Sequence, residues 1–584
     1  MSMRIEPVAE TLRGVGFGEP ALKALVWDAT KYDVLLLQPQ GDLEASEAGV
    51  RSRDRALAGQ QFGGLLSQAQ ATQPDLLLTP EYAMPWDILE HALAQAQGPA
   101  AGKLWALGCE SIRSSELVAL HARLAAQEIC VLYEDLPAHE PEKFVSPLAY
   151  VFVAPSRVAG EQPRTVLLVQ FKTHPMGGTD FERDGMVCGT SIYKFGGSGQ
   201  IALLSLICAD AFAFTDDFAQ LHHHQALILH LQLNPQPRHT DFHECRYRLL
   251  HYTNDVTEVL CLNWAANVKM RVDDHPSNWK NIAGSAWYLK SSQYDDDDTI
   301  IKANHVKGLY YTWLGRLRAH ALFFNYNAAI YAVSATKVVH VGVSGPASRR
   351  SGPKISRAFR WDAAGAAWEE QHQAEDGFAA IVAYGGAAQA ELVTVAARNP
   401  MEVERILALG AGKIVHDNWH QPKQLDSCAL DADEVVCRVT FAQDTHEKAQ
   451  EFRTSRLRHF SQLWDILGTH HALPPALADF KDGIRLVWSK RAPHQNIISG
   501  SEKRATAIYV GNLASVEKAE EVFQQASYRL ERDFLEADAR STAKQRLVVW
   551  YHNMANQLTH HNSHAFVQFD QPDNVSEVAI NRPS

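Results

Sequence analysis

The chain has 584 residues, of which 46% are hydrophobic and 21% are charged, a balance typical of soluble globular proteins. This length exceeds what one hydrophobic core usually holds, so we expect at least two domains. The formal net charge of −12 argues against broad binding to nucleic acid or to anionic membranes.

The sequence contains no apolar run long enough to cross a bilayer, and its first residues lack the basic end and apolar stretch of a secretory signal. The eight cysteines form no CxxC pair and follow no disulfide spacing. Together these features predict a cytoplasmic protein whose thiols are reduced.

From Tyr32 onward, short apolar runs alternate with segments of helical period. In chain order they predict strand 34–37, helix 54–70, strand 76–79, helix 86–96 and strand 104–108. Because each strand is almost wholly apolar, we expect sheets covered by helices, which is an α/β architecture.

The middle of this region carries strands with no helices between them. The next predicted elements are strands 148–154, 165–171, 192–195 and 201–207, strand 226–231, helix 242–252 and strand 258–263. This order fits a four-layer α-β-β-α sandwich, with two sheets back to back and helices outside. Residues 271–300 are polar and predicted to be irregular, whereas 321–335 are apolar and strand-prone.

Composition also divides the chain into four parts. Residues 1–30 predict an N-terminal arm or short helix, 31–342 the α/β domain, and 343–354 a linker rich in Gly, Ser, Pro and Arg. Residues 355–584 predict a smaller α+β accessory domain. Its predicted elements are strands at 379–383, 434–440 and 547–550 and charged helices at about 445–467 and 515–538.

Three reactive side chains follow directly after apolar strands: Glu81 in LLLTPEY, Lys172 in QFKTHP and Cys208 in SLICADAF. In an α/β sheet, strand ends are where rigid walls border ligand space. A carboxylate can take the proton of a thiol that attacks a carbonyl or nitrile carbon, and an ammonium stabilises the resulting oxyanion. These three groups therefore suffice for amide hydrolysis through a thioester.

In the order Glu, Lys, Cys, the three motifs resemble the nitrilase or carbon–nitrogen hydrolase superfamily over about residues 31–340. Several landmarks are similar too: Gln38 after the first strand, Asp210 just past the cysteine, ALILHLQLNPQ at 226–236, EVLCLNWAAN at 258–267 and Gly284-Ser285-Ala286. The resemblance implies Cys208 as nucleophile, Glu81 as general base and Lys172 as oxyanion stabiliser.

The family also uses a second glutamate, for which the resemblance suggests Glu182 or alternatively Asp180. The residues expected to line the substrate pocket are Tyr82, His174, His230 and Asn234. The sequence departs from the family at Leu204-Ser205, where members usually have a glycine, and at 271–300, which looks like an insertion.

The resemblance implies hydrolysis of a non-peptide C–N bond in a small amide, or less readily a nitrile, with ammonia or an amine released. It implies no cofactor and a homo-oligomer, with a partner protein engaged through the C-terminal region as a further option. The competing hypothesis is a nitrilase-like sensor, effector or assembly protein with little amidase activity of its own. Glutamine-dependent NAD synthetases add a Ser-Gly-Gly-x-Asp-Ser phosphate loop, and Ser499-Gly500-Ser501-Glu502 does not match it.

Two other patterns suggest a metal site and an RNA-recognition domain, but both are incomplete. The pair His239 and His243 has helical metal-ligand spacing, but no second pair completes a site, so we expect no metal. Residues 508–513 and 565–569 look superficially like the strand motifs of an RNA-recognition domain. Too few residues follow the second motif to complete that fold, so nucleic-acid binding is not expected.

Overall fold

The computed structural model describes the greater part of the chain. The described residues are 3–26, 31–135, 140, 142–177, 180–197, 201–215, 226–238, 240–251, 257–266, 268–276, 284–290, 297–336, 352–372, 378, 382–425, 436, 438–441, 447–469, 473–512 and 514–562. The chain divides into two compact units, one formed mainly by residues 1–375 and the other mainly by 376–584. Within the described part, each helix is too short or too polar to span a bilayer.

The first unit is rich in short strands. Those in its first half are β1 (Arg4–Pro7), β2 (Lys31–Gln38), β3 (Asp42–Ser46), β4 (Gly49–Ser52), β5 (Leu76–Met84), β6 (Leu104–Cys109), β7 (Ile112–Arg113), β8 (Cys130–Tyr133), β9 (Phe144–Val145), β10 (Pro147–Ala154) and β11 (Arg164–Phe171). Those in its second half are β12 (Ser191–Phe195), β13 (Ala202–Ile207), β14 (Ala226–Leu231), β15 (Glu258–Leu262), β16 (Lys269–Val272), β17 (His275–Pro276), β18 (Ala286–Lys290), β19 (Leu309–Leu314), β20 (Ala319–Phe324), β21 (Ala329–Thr336), β22 (Lys354–Asp362) and β23 (Ala367–Glu370).

Helices separate many of these strands. They are α1 (Val8–Gly14), α2 (Arg55–Thr72), α3 (Trp86–Ala94), α4 (Ser114–Ala125), α5 (Asp180–Gly185), α6 (Asp210–Ala213), α7 (Thr240–His251) and α8 (Asp298–His305). The fold of this unit is therefore mixed α/β, as the alternation of apolar runs predicts.

Two large sheets dominate the described residues of the first unit. One has eight strands in the order β1-β12-β13-β14-β15-β18-β20-β19, and the other has nine in the order β23-β22-β21-β2-β5-β6-β10-β11-β8. Smaller ladders join β17-β16-β3-β4 and β7-β9. Strands β2, β5 and β6 are parallel, as are β13, β14 and β15.

Strand β2 shows how alternate side chains assign the two faces of the nine-stranded sheet. Leu35 and Leu37 belong to the buried cluster that also contains Phe62 of helix α2. On the opposite face, the Tyr32 hydroxyl donates to Glu258 of β15 and the Gln38 amide donates to the Asn325 carbonyl. One face therefore packs on a helix while the other meets the eight-stranded sheet.

A second polar contact joins the two sheets deep in the interior. The Gln170 side chain on β11 donates to the Ser205 carbonyl at 2.9 Å and accepts from the Tyr193 amide at 3.0 Å. The rings of Tyr150 and Phe195 pack beside it, with centroids 5.0 Å apart. Because a buried amide left unpaired is costly, these bonds favour one alignment of the two sheets.

The structure corrects the prediction that residues 271–300 are irregular. Ala286–Lys290 forms β18, an inner strand of the eight-stranded sheet paired with β15 and β20. The strand is only five residues long, and its polar neighbours in the sequence hide its apolar character. The strand-prone segment 321–335 likewise belongs to two strands, β20 and β21, which lie in different sheets.

Both ends of the first unit form strands that join the two large sheets. Arg4–Pro7 runs parallel to β12 at the edge of the eight-stranded sheet, within the predicted N-terminal arm. Strands β22 and β23 extend the nine-stranded sheet beyond the predicted linker. Residues 343–351 of that linker lie outside the described residues.

The second unit is built on a five-stranded sheet with the order β24-β25-β26-β27-β28. Its strands are β24 (Ile484–Leu486), β25 (Ile497–Ser499), β26 (Arg504–Tyr509), β27 (Leu547–His552) and β28 (Leu558–Asn562). Its helices are α9 (Gln389–Arg398), α10 (Pro400–Gly410), α11 (Pro422–Leu425), α12 (Glu447–Gly468), α13 (Val516–Asp533) and α14 (Ala537–Gln545), with shorter 3₁₀ turns at Ala383–Ala388 and Pro475–Phe480. Strands β26 and β27 are parallel, and their alternate residues enter two different buried clusters, so both faces of the sheet are covered.

The predicted long helices and the strand at 547–550 are confirmed in this unit. The strand predicted at 434–440 is wrong where the structure describes it, because Val439 and Thr440 lie in a turn. Of the strand predicted at 379–383, residues 379–381 lie outside the described part, and Ala383 begins a 3₁₀ turn.

Strands β5 and β6 approach each other closely at Gly108. A Cβ added to Gly108 would lie 2.0 Å from the Pro80 carbonyl oxygen, whereas one added to Gly63 in helix α2 would meet nothing within 4 Å. We expect Gly108→Ala to lower the free energy of unfolding by about 1–3 kcal/mol, since the backbone of β5 must move. Urea titration measures the change.

The matched control is Gly63→Ala, which we expect to stabilise the chain by up to about 1 kcal/mol through helix propensity. Equal unfolding midpoints for the two variants would contradict the steric argument.

Candidate active site

Cys208 lies at the turn between strand β13 and helix α6. Its backbone is left-handed, with a φ of 42°, which is uncommon for a residue that has a Cβ. The Cys208 amide donates to the Leu231 carbonyl at 2.9 Å, so the turn is fastened to the neighbouring strand β14. Such strain persists only where surrounding contacts determine it, and it is frequent at functional sites.

Glu81 projects from an interruption in strand β5. The pairing of β5 with β6 shifts register between Thr79 and Met84, and Tyr82 is left-handed with a φ of 55°. Gly108 leaves room for this displaced backbone. The Trp264 indole donates to the Glu81 carbonyl at 2.8 Å and holds the bulge in place. The carboxylate is thereby turned out of the regular strand and into the interior.

Lys172 follows the last residue of β11 and binds two carboxylates at once. Its Nζ donates to Glu81 Oε1 at 2.8 Å and to both oxygens of Glu182 at 2.7 and 2.9 Å. These three side chains are at most 3% exposed. The geometry places a buried ammonium between two carboxylates, an arrangement stable only when every charge is paired and hydrogen-bonded.

The remaining oxygen positions of the two carboxylates also have donors. Glu81 Oε2 accepts from the Leu233 amide at 2.9 Å. Glu182 accepts from the Tyr82 hydroxyl at 2.9 Å and from the Met176 amide at 2.7 Å. Because these donors come from strand β5 and from the loops at Met176 and Leu233, the carboxylates fix these segments relative to one another.

The cysteine side chain belongs to the same cluster. Cys208 is 2% exposed, and its side chain lies close enough to Glu81, Lys172 and Glu182 to interact with their charges. Burial, followed by the Glu81 and Glu182 charges, raises the pKa of the Cys208 thiol although Lys172 opposes this shift. The resting thiol therefore keeps its proton at neutral pH and needs a neighbouring base to become a nucleophile.

Glu81 is suited to accept that proton. Burial raises the pKa of Glu81 to about 7, with the Glu182 charge adding to the shift and the Lys172 ammonium opposing it. Burial alone would lower the pKa of Lys172, but Glu182 and Glu81 raise it well above its usual value. The lysine thus stays charged while the glutamate can exchange a proton near neutral pH.

Asp210 ties the cysteine turn to the lysine loop. One of its carboxylate oxygens accepts from the Ile207 amide at 3.0 Å. The other accepts from the Thr173 amide at 2.7 Å, the Thr173 hydroxyl at 2.8 Å and the His174 amide at 3.2 Å. This fully buried side chain therefore sets the spacing between Cys208 and the residue that follows Lys172.

The structure brings together Glu81, Lys172, Glu182 and Cys208, which lie far apart in the sequence. Tyr82 joins them through its bond to Glu182. Asp180, the alternative to Glu182, is exposed instead and pairs with Arg183 at 2.8 Å. The roles of these residues in a reaction remain predictions.

The other residues predicted to line a pocket lie around this cluster. His174 is partly buried, and its Nδ1 is hydrogen-bonded to the Thr173 hydroxyl at 2.8 Å. His230 bonds the Cys208 carbonyl, and Asn234 bonds Gln232. Sequence reasoning missed Gln232, although polar residues at 230, 232 and 234 alternate with leucines in an otherwise apolar stretch.

A separate cavity of about 680 Å³ lies between the β3–β4 hairpin and helices α3 and α4. None of the four clustered residues lines it. Its Arg55 is already paired with Glu110 and Asp87. This cavity is therefore not part of the site around Cys208.

Each minor pattern of the sequence lies partly outside the residues that the structure describes. No group of three or more His, Cys, Asp or Glu side chains is arranged to hold a metal ion among those residues. His239 and the second RNA-like motif at 565–569 lie outside the described residues.

Several solved structures are similar to this chain. The glutamine-dependent NAD⁺ synthetase of Acinetobacter baumannii matches at 12% identity and a TM-score of 0.27, over 69% of this chain and 57% of that one. The amidase of Nesterenkonia sp. AN1 matches at 13% identity and a TM-score of 0.26, over 44% and 82%. A CN-hydrolase superfamily protein of Xanthomonas campestris matches at 14% identity and a TM-score of 0.26, over 44% and 82%.

The amidase and the Xanthomonas protein belong to the superfamily that the sequence motifs resemble. The chain spans 57% of the synthetase, less than two thirds of its length. With TM-scores below 0.5, these likenesses carry no argument about the activity of this chain. No family model and no curated protein matches the sequence.

The buried ion cluster predicts a pH-dependent defect in Lys172→Met. Without the ammonium, burial and the Glu182 charge raise the pKa of Glu81 further, opposed by the hydrogen bond from the Leu233 amide. A carboxyl whose pKa is higher in the folded state than in the unfolded state favours folding at low pH, and this stability is lost as the pH rises. We expect the deficit relative to wild type to grow between about pH 5 and about pH 8, reaching about 3–5 kcal/mol.

Urea unfolding at the two pH values measures this defect. The control is Lys269→Met, which removes an exposed lysine on β16 and is expected to change stability by less than about 0.5 kcal/mol at either pH. A deficit in Lys172→Met that shrinks as the pH rises would refute the charge argument.

Proposed function

We propose that this protein hydrolyses a C–N bond of a small amide through a thioester on Cys208, with Glu81 as general base and Lys172 as oxyanion stabiliser. The supporting observation is the buried cluster in which Lys172 binds Glu81 and Glu182 beside the thiol. These residue types can perform each step of acyl transfer without a further group.

In the first step, the Cys208 sulfur attacks the amide carbonyl carbon while Glu81 accepts the thiol proton. The carbonyl oxygen of the tetrahedral intermediate becomes an oxyanion, which the Lys172 ammonium stabilises. When the C–N bond breaks, Glu81 passes the proton to the leaving nitrogen, and ammonia or an amine departs. The acyl group remains on Cys208 as a thioester.

In the second step, Glu81 takes a proton from water, and the oxygen attacks the thioester carbonyl. A second tetrahedral intermediate forms beside Lys172. Its collapse breaks the C–S bond, releases the carboxylic acid and returns the proton to the Cys208 sulfur. Glu182 does not exchange protons in this scheme; it holds Lys172 and, through Met176 and Tyr82, the loop beside it.

We further propose that the first unit is a four-layer α-β-β-α sandwich, supported by the contacts of β2 with a helix on one face and with the eight-stranded sheet on the other. Residues after the first unit would serve assembly or partner binding, and the protein would act as a homo-oligomer. The cysteines that the structure describes are free thiols, which fits a reducing compartment such as the cytoplasm.

The first test of this function is Cys208→Ala. Since the acyl intermediate forms on the Cys208 thiol in this scheme, we expect hydrolysis of a panel of small amides to fall about 10⁴-fold or more. Ammonia release measures turnover. Intact mass spectrometry with a slow substrate should reveal an acyl adduct on wild type that the variant lacks.

The matched control is Cys245→Ala, which removes another buried thiol, in helix α7, and should retain full activity. Equal turnover by wild type and Cys208→Ala would refute the proposal. If both were silent while an amide shifted the oligomeric state, the sensor or assembly hypothesis would replace it.

The pH profile tests the role of Glu81. The general base must be ionised to accept the thiol proton, and its pKa is raised to about 7. We expect kcat/KM to fall about tenfold for each pH unit below that value. The measurement is kcat/KM between about pH 5 and about pH 9 for wild type and Glu81→Gln. Glu81→Gln should lose the acid limb together with most of the activity, and a wild-type rate independent of pH over this range would contradict the assignment.

A further inference from the structure

A continuous chain of hydrogen bonds runs beneath the cysteine turn. The Gln236 amide donates to Asn234 Oδ1 at 2.8 Å, and Asn234 Nδ2 donates to Gln232 Oε1 at 3.0 Å. Gln232 Nε2 and His230 Nδ1 are 2.8 Å apart, and His230 Nε2 is 2.9 Å from the Cys208 carbonyl oxygen. The three side chains are at most 2% exposed.

The direction of every bond in this chain is determined by its two ends. A backbone amide can only donate, so Asn234 must present its oxygen to Gln236 and its nitrogen to Gln232. A carbonyl can only accept, so His230 must donate from Nε2 to Cys208. Nδ1 is then the acceptor for Gln232. The imidazole is thereby held as a single tautomer, with its proton on Nε2.

The charge state of His230 agrees with this tautomer. Burial lowers the pKa of His230 to about 3, so the ring is neutral at physiological pH. The ring lies under the Cys208 backbone, and its two nitrogens are hydrogen-bonded to Cys208 and Gln232. His230 therefore has no free nitrogen to offer a substrate and does not supply or accept the reacting proton.

The contact is made to a residue whose backbone is left-handed. Cys208 has a φ of 42°, a conformation that orients its side chain but is disfavoured for a residue with a Cβ. Its amide is fixed by the Leu231 carbonyl, and its carbonyl is fixed by His230. Both bonds come from strand β14, so this strand holds the peptide groups on both sides of the Cys208 Cα.

We infer that His230 is a positioning residue whose Nε2–H, fixed by Gln232 and Asn234, holds the backbone of Cys208 in its left-handed conformation and so aims the sulfur at Glu81. This inference rests on the proposed function in taking Cys208 as the nucleophile. It assigns His230 and Asn234 to support of the cysteine and not to the substrate pocket predicted from sequence. Gln232 joins them as the residue that selects the tautomer.

Three variants test the inference. His230→Leu removes the donor to Cys208, whereas His230→Gln keeps an N–H donor close to the position of Nε2. Gln232→Met removes the bond that selects the tautomer but leaves the imidazole. The matched control is His320→Leu, which removes another buried histidine of the same sheet, hydrogen-bonded to the Tyr311 hydroxyl at 2.9 Å.

Two rates are measured on the full-length chain. Peptide-resolved mass spectrometry follows alkylation of Cys208 by iodoacetamide, and ammonia release gives kcat and KM for an amide. In His230→Leu we expect both the alkylation rate and kcat to fall about 100-fold with KM little changed, because the sulfur moves away from its base while the pocket remains. His230→Gln should recover to within about tenfold of wild type, and Gln232→Met should lie between these two variants.

A crystal structure of His230→Leu should show Cys208 outside the left-handed region. The inference is overturned if His230→Leu alkylates and turns over like wild type, or if His320→Leu loses as much as His230→Leu. Complete absence of amide hydrolysis in wild type would refute the proposed function alone. The alkylation rates and the φ of Cys208 would still decide the role of His230.

Discussion

The first unit depends on one buried ammonium. Lys172 lies between Glu81 and Glu182 with almost no exposure to water, and burying three ions is tolerable only when each has its partners. Strands β5 and β11 are separated by β6 and β10, and the regular pairing of β5 is interrupted at Glu81, where the two side chains meet. The ion cluster thus constrains the backbone of two strand ends and a loop at once.

The same cluster defines the chemistry that the site can perform. Burial, together with the charges of the neighbouring carboxylates, raises the pKa values of the Cys208 thiol and of Glu81, so the thiol stays protonated and Glu81 can hold a proton. Lys172 remains charged under these conditions. In the proposed reaction, the cysteine stays a thiol until a substrate arrives, and Glu81 then takes its proton.

Hydrogen bonds outside the ion cluster also hold the cysteine turn in place. Asp210 fastens the cysteine turn to Thr173, and His230 fastens the same turn to strand β14. Each of these groups is buried and bonded in a single direction, so moving one would leave a donor or acceptor unpaired. The left-handed backbone of Cys208 is tolerated because hydrogen bonds hold the turn from two sides.

The sequence by itself determined the α/β class and most strand positions, and it predicted that Glu81, Lys172 and Cys208 act together, because apolar runs and strand-end motifs are local features. It also marked Glu182, but could not separate it from Asp180, since only the tertiary fold buries one and exposes the other. Strand β18 and the division of 321–335 between two sheets were decided by long-range pairing. The support of Cys208 by His230 was likewise decided by tertiary structure, because a hydrogen bond between residues 22 positions apart depends on strand register.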